Sequence, residues 1–309
     1  MSISSEKPLV SVVIPTYRRP IYLERAIESA RCQSYQNIEI IVVDDNDANT
    51  EFRSETEKLM NNYANTANIL YLKHEFNKNG AAARNTGLKK ASGDYITFLD
   101  DDDEMLPERL ESQIDLMERL DKTWGACYTK YKKIKGNNEI LVSSENRQGN
   151  LYIQALMRSI YIGSGSNLLI RKNIAEAVSG YDESFNRNQD LEFLARILEK
   201  HKLAFIDECT LIIHYEVREK KDTYEGLLAI DEFYLNRFGH RIEQLSKENK
   251  HKVLAMIALE RFRYSIKYCK VNDGLINLIN TKVTLFEFLR YIIYILHRAV
   301  TKKSYGFRI

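Results

Sequence analysis

Tyr95-Ile-Thr-Phe-Leu-Asp-Asp-Asp-Asp103 decides how this chain is read. Its first five residues, β-branched, aromatic and aliphatic, read as a strand buried on both faces. The four carboxylates at its exit repel one another unless they are solvated or gather around a cation that favours hard oxygen ligands. A solvated turn is the commoner fate of an acidic run. The sequence on either side has to choose between the two.

Working outward, Val10 to Ile14, Ile38 to Val43 and Ile69 to Leu72 are further short β-rich runs. Between the first two, Pro20 to Ser34 sets Leu23, Ala26, Ile27 and Ala30 on one helical face, with Pro20 suited to a first turn. Residues 49–66 are expected to hold a helix, and Gly80 to Ala91 and Pro107 to Leu120 two more. The alternation predicts an α/β fold, a mostly parallel sheet with flanking helices. Past residue 124 the pattern changes. Ala126 to Ile134 and Glu139 to Ser143 read as antiparallel strands joined through Gly136-Asn137-Asn138. Leu151 to Ile160 reads as a helix, Ser166 to Arg171 as a strand, Asp190 to Lys200 as a helix and Ala204 to His214 as extended chain. From about Tyr224 the chain reads as helical, after a charged boundary at residues 216–223.

Composition narrows the class. The 309 residues are 44% hydrophobic and 28% charged, which suits a globular protein with a sizeable core. A net charge of +2 gives no global argument for nucleic-acid binding, and none is expected. Cys32, Cys127, Cys209 and Cys269 form no C-x-x-C pair, so reduced thiols and a cytoplasmic location are expected. The N-terminus lacks the apolar core of a signal peptide, and no apolar run reaches the length of a membrane span.

Ligands of open parallel sheets sit at the carboxyl ends of the strands. Three such ends are polar here: Pro15-Thr16-Tyr17, Asp44-Asp45-Asn46-Asp47 and the Asp100 to Asp103 run. Neither a G-x-G-x-x-G fingerprint after the first strand nor a G-x-x-x-x-G-K-[ST] loop is present, which disfavours a nicotinamide enzyme or a P-loop NTPase.

Val10-Ser-Val-Val-Ile-Pro-Thr-Tyr17, Ile40-Ile-Val-Val-Asp-Asp45, Gly80-Ala-Ala-Ala-Arg-Asn-Thr-Gly87 and Ala91-Ser-Gly-Asp-Tyr-Ile-Thr-Phe-Leu-Asp-Asp-Asp-Asp103 together resemble the family 2 glycosyltransferases. The likeness is close over residues 8–110 and continues more loosely through Gly180-Tyr-Asp-Glu-Ser-Phe185 and Gln189-Asp190. It implies a GT-A fold over residues 1–215, with a nucleotide-binding half at 1–124 and an acceptor-binding half at 125–215. Residues 216–309 would follow as a helical region with a basic tail. It also implies a nucleotide-sugar donor, inversion at the anomeric carbon, and a sugar hydroxyl of a glycan or lipid-linked glycan as acceptor in cell-surface polysaccharide synthesis.

The resemblance assigns roles by position. Pro15, Thr16 and Tyr17 would line the nucleotide pocket; Asp45 would accept a hydrogen bond from the base, and Asp44 would hold the strand end. Arg84 and Asn85 would support the donor side, although structural roles explain them equally well. Asp100 and Asp102 match the D-x-D, with Asp102 the direct ligand of Mn²⁺ or Mg²⁺ and Asp101 and Asp103 in support. Asp190 matches the catalytic carboxylate that takes the acceptor's proton, although a helix N-cap explains the same residue. Relatives often carry Glu-Asp where this chain has Gln189-Asp190. His214 is the nearest candidate for a histidine that completes the metal shell, on a pattern that aligns poorly. UDP is the expected nucleotide. The rival readings are a sugar-phosphate nucleotidyltransferase, which needs a glycine-rich loop where Thr16-Tyr17-Arg18-Arg19-Pro20 stands, and a glycan-binding protein without turnover.

Two features lie outside those motifs. Trp124 with Tyr128, Tyr131, Tyr152 and Tyr161 could stack on an acceptor sugar, but core packing explains their spacing better, and the loop Gly163 to Asn167 is placed near the acceptor. Leu285 to Leu296 is apolar except for Glu287 and Arg290, and is followed by a basic tail with no acid. It suits an anionic membrane surface on the cytoplasmic side, a second copy of the chain, or packing on the rest of the fold.

Overall fold

The computed structural model describes residues 7–136, 138–215 and 223–309. The boundary expected at 216–223 therefore falls almost wholly outside the described residues, as does Asn137 of the expected turn. The chain divides into two compact units, one of Met1–Asn150 with Ile162–Glu216, the other of Leu151–Tyr161 with Val217–Ile309.

The elements run β1 (Val10–Thr16), α1 (Pro20–Arg31), β2 (Ile38–Asp44), α2 (Glu51–Met60), β3 (Ile69–Lys73), α3 (Gly80–Lys90), β4 (Tyr95–Phe98), β5 (Asp103–Met105) and α4 (Arg109–Arg119). They continue with β6 (Trp124–Lys135), β7 (Asn138–Ser143), α5 (Tyr152–Leu156), β8 (Leu168–Arg171), α6 (Lys172–Ala177), α7 (Gln189–Leu198) and β9 (Lys202–His214). The last four helices are α8 (Tyr224–Glu243), α9 (Lys247–Lys267), α10 (Val271–Asn280) and α11 (Leu285–Thr301).

In the first unit the sheet order is β7-β6-β8-β4-β1-β2-β3, with β9 pairing β6 and β5. β1 pairs in parallel with β2 and β4, and β2 with β3. β8 runs antiparallel to both β4 and β6, which is where the sheet changes character. Every residue of β1 is buried, as a central parallel strand with helices on both faces requires. The register sets Thr16 opposite Asp44 and Val13 opposite Phe98, so the exits of β2 and β4 flank the exit of β1.

Helix α3 explains its run of small residues. Its N-cap Asn79, at φ 95°, accepts hydrogen bonds from the amides of Ala81 and Ala82. A Cβ on Gly87 would meet Val13 Cγ1 at 2.3 Å, so this helix lies directly on β1 and only glycine fits there. Tyr128 and Tyr131 are core residues, as packing predicted.

The second unit is helical. Its outlying piece 151–161 is held there by polar anchors: buried Arg158 pairs with Asp231 at 2.8 Å, and the Tyr234 hydroxyl donates to the carbonyls of Ala155 and Leu156. The segment expected within a 125–215 half thus belongs with the helices. The helix expected over 151–160 spans only α5, since Arg158 turns into a left-handed conformation at φ 53°. Among the described residues no helix is long and apolar enough to cross a membrane.

Candidate functional site

At the exit of β2, Asp44 is fully buried. Its Oδ2 pairs with Arg53 Nε at 2.8 Å and accepts from the Tyr71 hydroxyl at 2.6 Å. Its Oδ1 accepts from the amide and side chain of Asn46 at 2.9 and 2.8 Å. Arg53 goes on to donate to the carbonyls of Asp44, Asn46 and His74. Both oxygens of Asp44 are thus engaged within the fold, at the end of β2.

Asp45 is likewise engaged within the fold. Its Oδ1 meets His74 Nδ1 at 2.6 Å and accepts from the Lys78 amide at 2.9 Å. Its Oδ2 accepts from the Asn77 side chain at 2.8 Å and the Asn79 amide at 3.0 Å. Four donors fill a buried carboxylate that was expected to receive a base N–H. Asp45 anchors the 74–79 loop and, through Asn79, the start of α3.

At the exit of β4 the carboxylates meet arginines. Arg84 reaches Asp100 Oδ1 at 2.5 Å, while Arg19 pairs with Asp101 Oδ1 at 2.9 Å and with Asp102 Oδ2. Asp101 also accepts from the Thr16 hydroxyl at 2.8 Å, tying the exits of β1 and β4 together. Asp103 accepts from the hydroxyls of Ser164 and Ser166 at 2.9 and 2.6 Å. Burial pushes the Asp101 carboxyl up to about 7 against the pull of Arg19. Burial, with Asp100 and Asp102 beside it, raises Asp103 too. Asp101 and Asp103 are both buried and bonded to residues of neighbouring segments. Pro15 and Tyr17 adjoin this cluster in the chain, the Tyr17 amide donating to Asp101 at 3.4 Å.

Ser166 owes its position to a buried network behind it. Arg109, fully buried, donates to the Ser166 carbonyl at 2.6 Å, and Asn167 exchanges hydrogen bonds with the Thr129 backbone and donates to the Ile162 carbonyl. Burial brings the Arg109 guanidinium down to about 10 against the opposing pull of Cys127 and Asp103. The loop 163–167 is thus a support of the acidic cluster as much as a neighbour of Asp190.

Asp190 lies in the first turn of α7, whose N-cap is Asn188 in a left-handed conformation at φ 58°. It is therefore not itself the N-cap. A Cβ on Gly165 would lie 3.4 Å from Asp190 Cβ and 3.6 Å from the Tyr181 hydroxyl, so Gly165, Asp190 and Tyr181 lie close together. Burial raises the Asp190 carboxyl, Arg84 lowers it, and Asp100 raises it again. Arg84 is the joint of the site. Beyond Asp100, its other nitrogen donates to Gln189 Oε1 at 3.0 Å, and its plane lies 5.4 Å from the Tyr181 ring centroid. Gln189 serves as an acceptor here without adding a charge beside Asp190. Asn85 is structural, bonded to the backbone of Tyr181 and to Glu183.

His214 Nε2 turns to Glu104 at 3.2 Å, which leaves the metal role expected for it without support. Among the described residues no group of three or more His, Cys, Asp or Glu side chains is set to hold a metal ion. Asp100 and Asp102 still fit one in kind: hard carboxylate oxygens at one strand exit, where Mg²⁺ and Mn²⁺ take one or two carboxylates and complete their shell with phosphate and water.

Sequence reading gave no role to Arg19, His74 or Tyr181, and placed Ser164 and Ser166 only within the 163–167 loop; Arg19 and Tyr181 lay inside quoted stretches. The Tyr181 hydroxyl is buried without a hydrogen-bond partner, facing the Asp190 cluster.

The profile described as glycosyl transferase family 2 matches residues 11–179. An uncharacterized glycosyltransferase of Rickettsia typhi, RT0329, is 28% identical over 84% of this chain and 81% of its own length. TuaG of Bacillus subtilis, a putative teichuronic acid biosynthesis glycosyltransferase, is 28% identical over 66% of this chain and 77% of its own. Among solved structures, S. aureus TarS 1–349 in complex with UDP-GlcNAc superposes with a TM-score of 0.64 at 18% identity, over 95% of this chain and 81% of that one.

Proposed function

The chain belongs to glycosyl transferase family 2 and has the GT-A fold, and on that premise we propose that it moves a sugar from a nucleotide-diphosphate donor to a hydroxyl of a glycan, with inversion at the anomeric carbon. A UDP-sugar is the first donor to try, a hexose or N-acetylhexosamine, since the TarS structure holds UDP-GlcNAc. Cell-surface polysaccharide synthesis is the setting that the likeness to TuaG favours. The observation that carries the reading is Arg84, which bonds Asp100 at the exit of β4 and Gln189 at the start of α7, beside Asp190.

The chemistry divides between the two ends of that arginine. Asp190 Oδ takes the proton as the acceptor oxygen forms its bond to the anomeric carbon, and the bond to the diphosphate breaks on the opposite face. A carboxylate raised by burial is a stronger base than an exposed aspartate, so the half-buried Asp190 suits that work. Arg84 and Arg19 place positive charge where a diphosphate departs. A divalent cation, Mn²⁺ or Mg²⁺, held by Asp102 and Asp100, would supply further neutralisation of the leaving group. The nucleotidyltransferase reading gains nothing here: the segment after β1 has no glycine and is tied by Arg19 to Asp101 and Asp102.

The test is Asp190→Asn with UDP-GlcNAc and a panel of other UDP-sugars. Transfer should fall by about 10³-fold, with UDP affinity by calorimetry within about twofold of the parent. Full turnover in the variant would remove Asp190 as the base. A product with the donor's anomeric configuration would remove inversion.

A further inference from the structure

Helix α11 leaves its apolar side uncovered. Leu285, Phe286, Leu289, Ile293, Leu296 and Val300 are 50 to 82% exposed, while Tyr291 and Tyr294 carry the helix's packing. At about 100° per residue those six fall within an arc of about 100°, with Tyr291 and Tyr294 roughly opposite. Single exposed apolar residues are ordinary, but a continuous stripe of six is a contact surface.

Charge says what covers it. From residue 288 onward the chain carries Arg290, Arg298, Lys302, Lys303 and Arg308 and no acid. The one carboxylate of α11, Glu287, is on the packed side. It closes a capping box with Thr284 and meets His251 Nε2 at 2.9 Å. Arg290 falls next to the stripe on the helical wheel and is exposed. An apolar stripe edged by cations alone matches a surface that is oily inside and anionic outside. Two copies of the chain meeting about a twofold axis would instead bring these like charges face to face. The helix has 17 residues, about 25 Å, too short to span a bilayer but suited to lying in its interface.

We propose that α11 docks this protein on an anionic lipid surface, the stripe Leu285–Val300 entering the headgroup region and Arg290, Lys302, Lys303 and Arg308 meeting lipid phosphates. The proposal is independent of the catalytic reading, because its test uses no sugar donor. The full chain is sedimented with vesicles of phosphatidylcholine alone and of phosphatidylcholine mixed with phosphatidylglycerol. Binding should be at least about tenfold stronger to the anionic vesicles and fall with salt. Leu289→Gln with Ile293→Gln should lower it by about tenfold or more, with an unchanged far-ultraviolet circular dichroism spectrum. Lys302→Gln with Lys303→Gln should abolish most of the preference for anionic lipid. Equal binding to both vesicle types would overturn the proposal, as would full binding by the double glutamine variant of the stripe. A stable dimer in lipid-free solution that the same variant dissociates would give the face to a second copy instead.

Discussion

Asp44 and Asp45 at the exit of β2 have their oxygens filled by Arg53, Tyr71, Asn46, His74 and the 77–79 loop. The Asp100 to Asp103 run at the exit of β4 is met by Arg19 and Arg84, and its members Asp100 and Asp102 keep some exposure. Arg19 is 36% exposed, whereas Arg53 is buried. Two acidic strand ends on the same edge of one sheet thus do different work. The first uses its charge to set loops; the second is met by Arg19, which keeps contact with solvent, and by Arg84, which also holds Gln189.

Replacing one carboxylate at each exit tests that contrast. The largest effect is expected from Asp102→Asn, which should lower transfer by about 10³-fold while the melting temperature shifts by no more than about 2 °C. A collapse in stability with donor binding intact would make the β4 exit structural too. Asp44→Asn should behave in the opposite way. It strands the buried Arg53 cation and should cost about 3 kcal/mol of folding free energy, read from urea denaturation. A fully stable Asp44→Asn protein that no longer binds nucleotide would return Asp44 to the pocket.

The smallest effect is a pH dependence. Asp101 ionises near pH 7 in the folded chain but near 3.9 when unfolded. Its raised pKa favours folding fully below about pH 3.9, and that contribution is lost as the pH rises toward 7. Asp101→Asn cannot ionise, so relative to the variant the parent should lose stability steadily as the pH rises from 4 to 7.5. Parallel melting curves across that range would show that Arg19 keeps Asp101 ionised throughout.

Much of the fold was legible because it is written in contiguous runs. Val10 to Ile14 and Ile38 to Val43 are β-branched and continuous, and the helices between them show a regular apolar face. The Asp100 to Asp103 run and Asp190 were singled out through motif likeness, and the roles given to them are proposals. What could not be read were partnerships between distant residues. Asp45 looked like a ligand contact because its donors sit 29 to 34 residues away, two of them backbone amides that no side-chain pattern records. Arg19 looked like part of a loop. The segment 151–161 looked like part of the catalytic half, since its anchors Asp231 and Tyr234 lie over 70 residues downstream. Exposure of the α11 stripe was equally hidden, because an apolar helix face reads the same whether packed or bare.

The 74–79 loop carries a last consequence of Asp45. It has no regular secondary structure after the end of β3, yet the amides of Asn77, Lys78 and Asn79 all donate to carboxylates, those of Asp47 and Asp45. The His74 amide closes onto the Asp44 carbonyl at 2.9 Å. A stretch that looks irregular by its dihedral angles should therefore trade its amide protons with solvent as slowly as the sheet beside it.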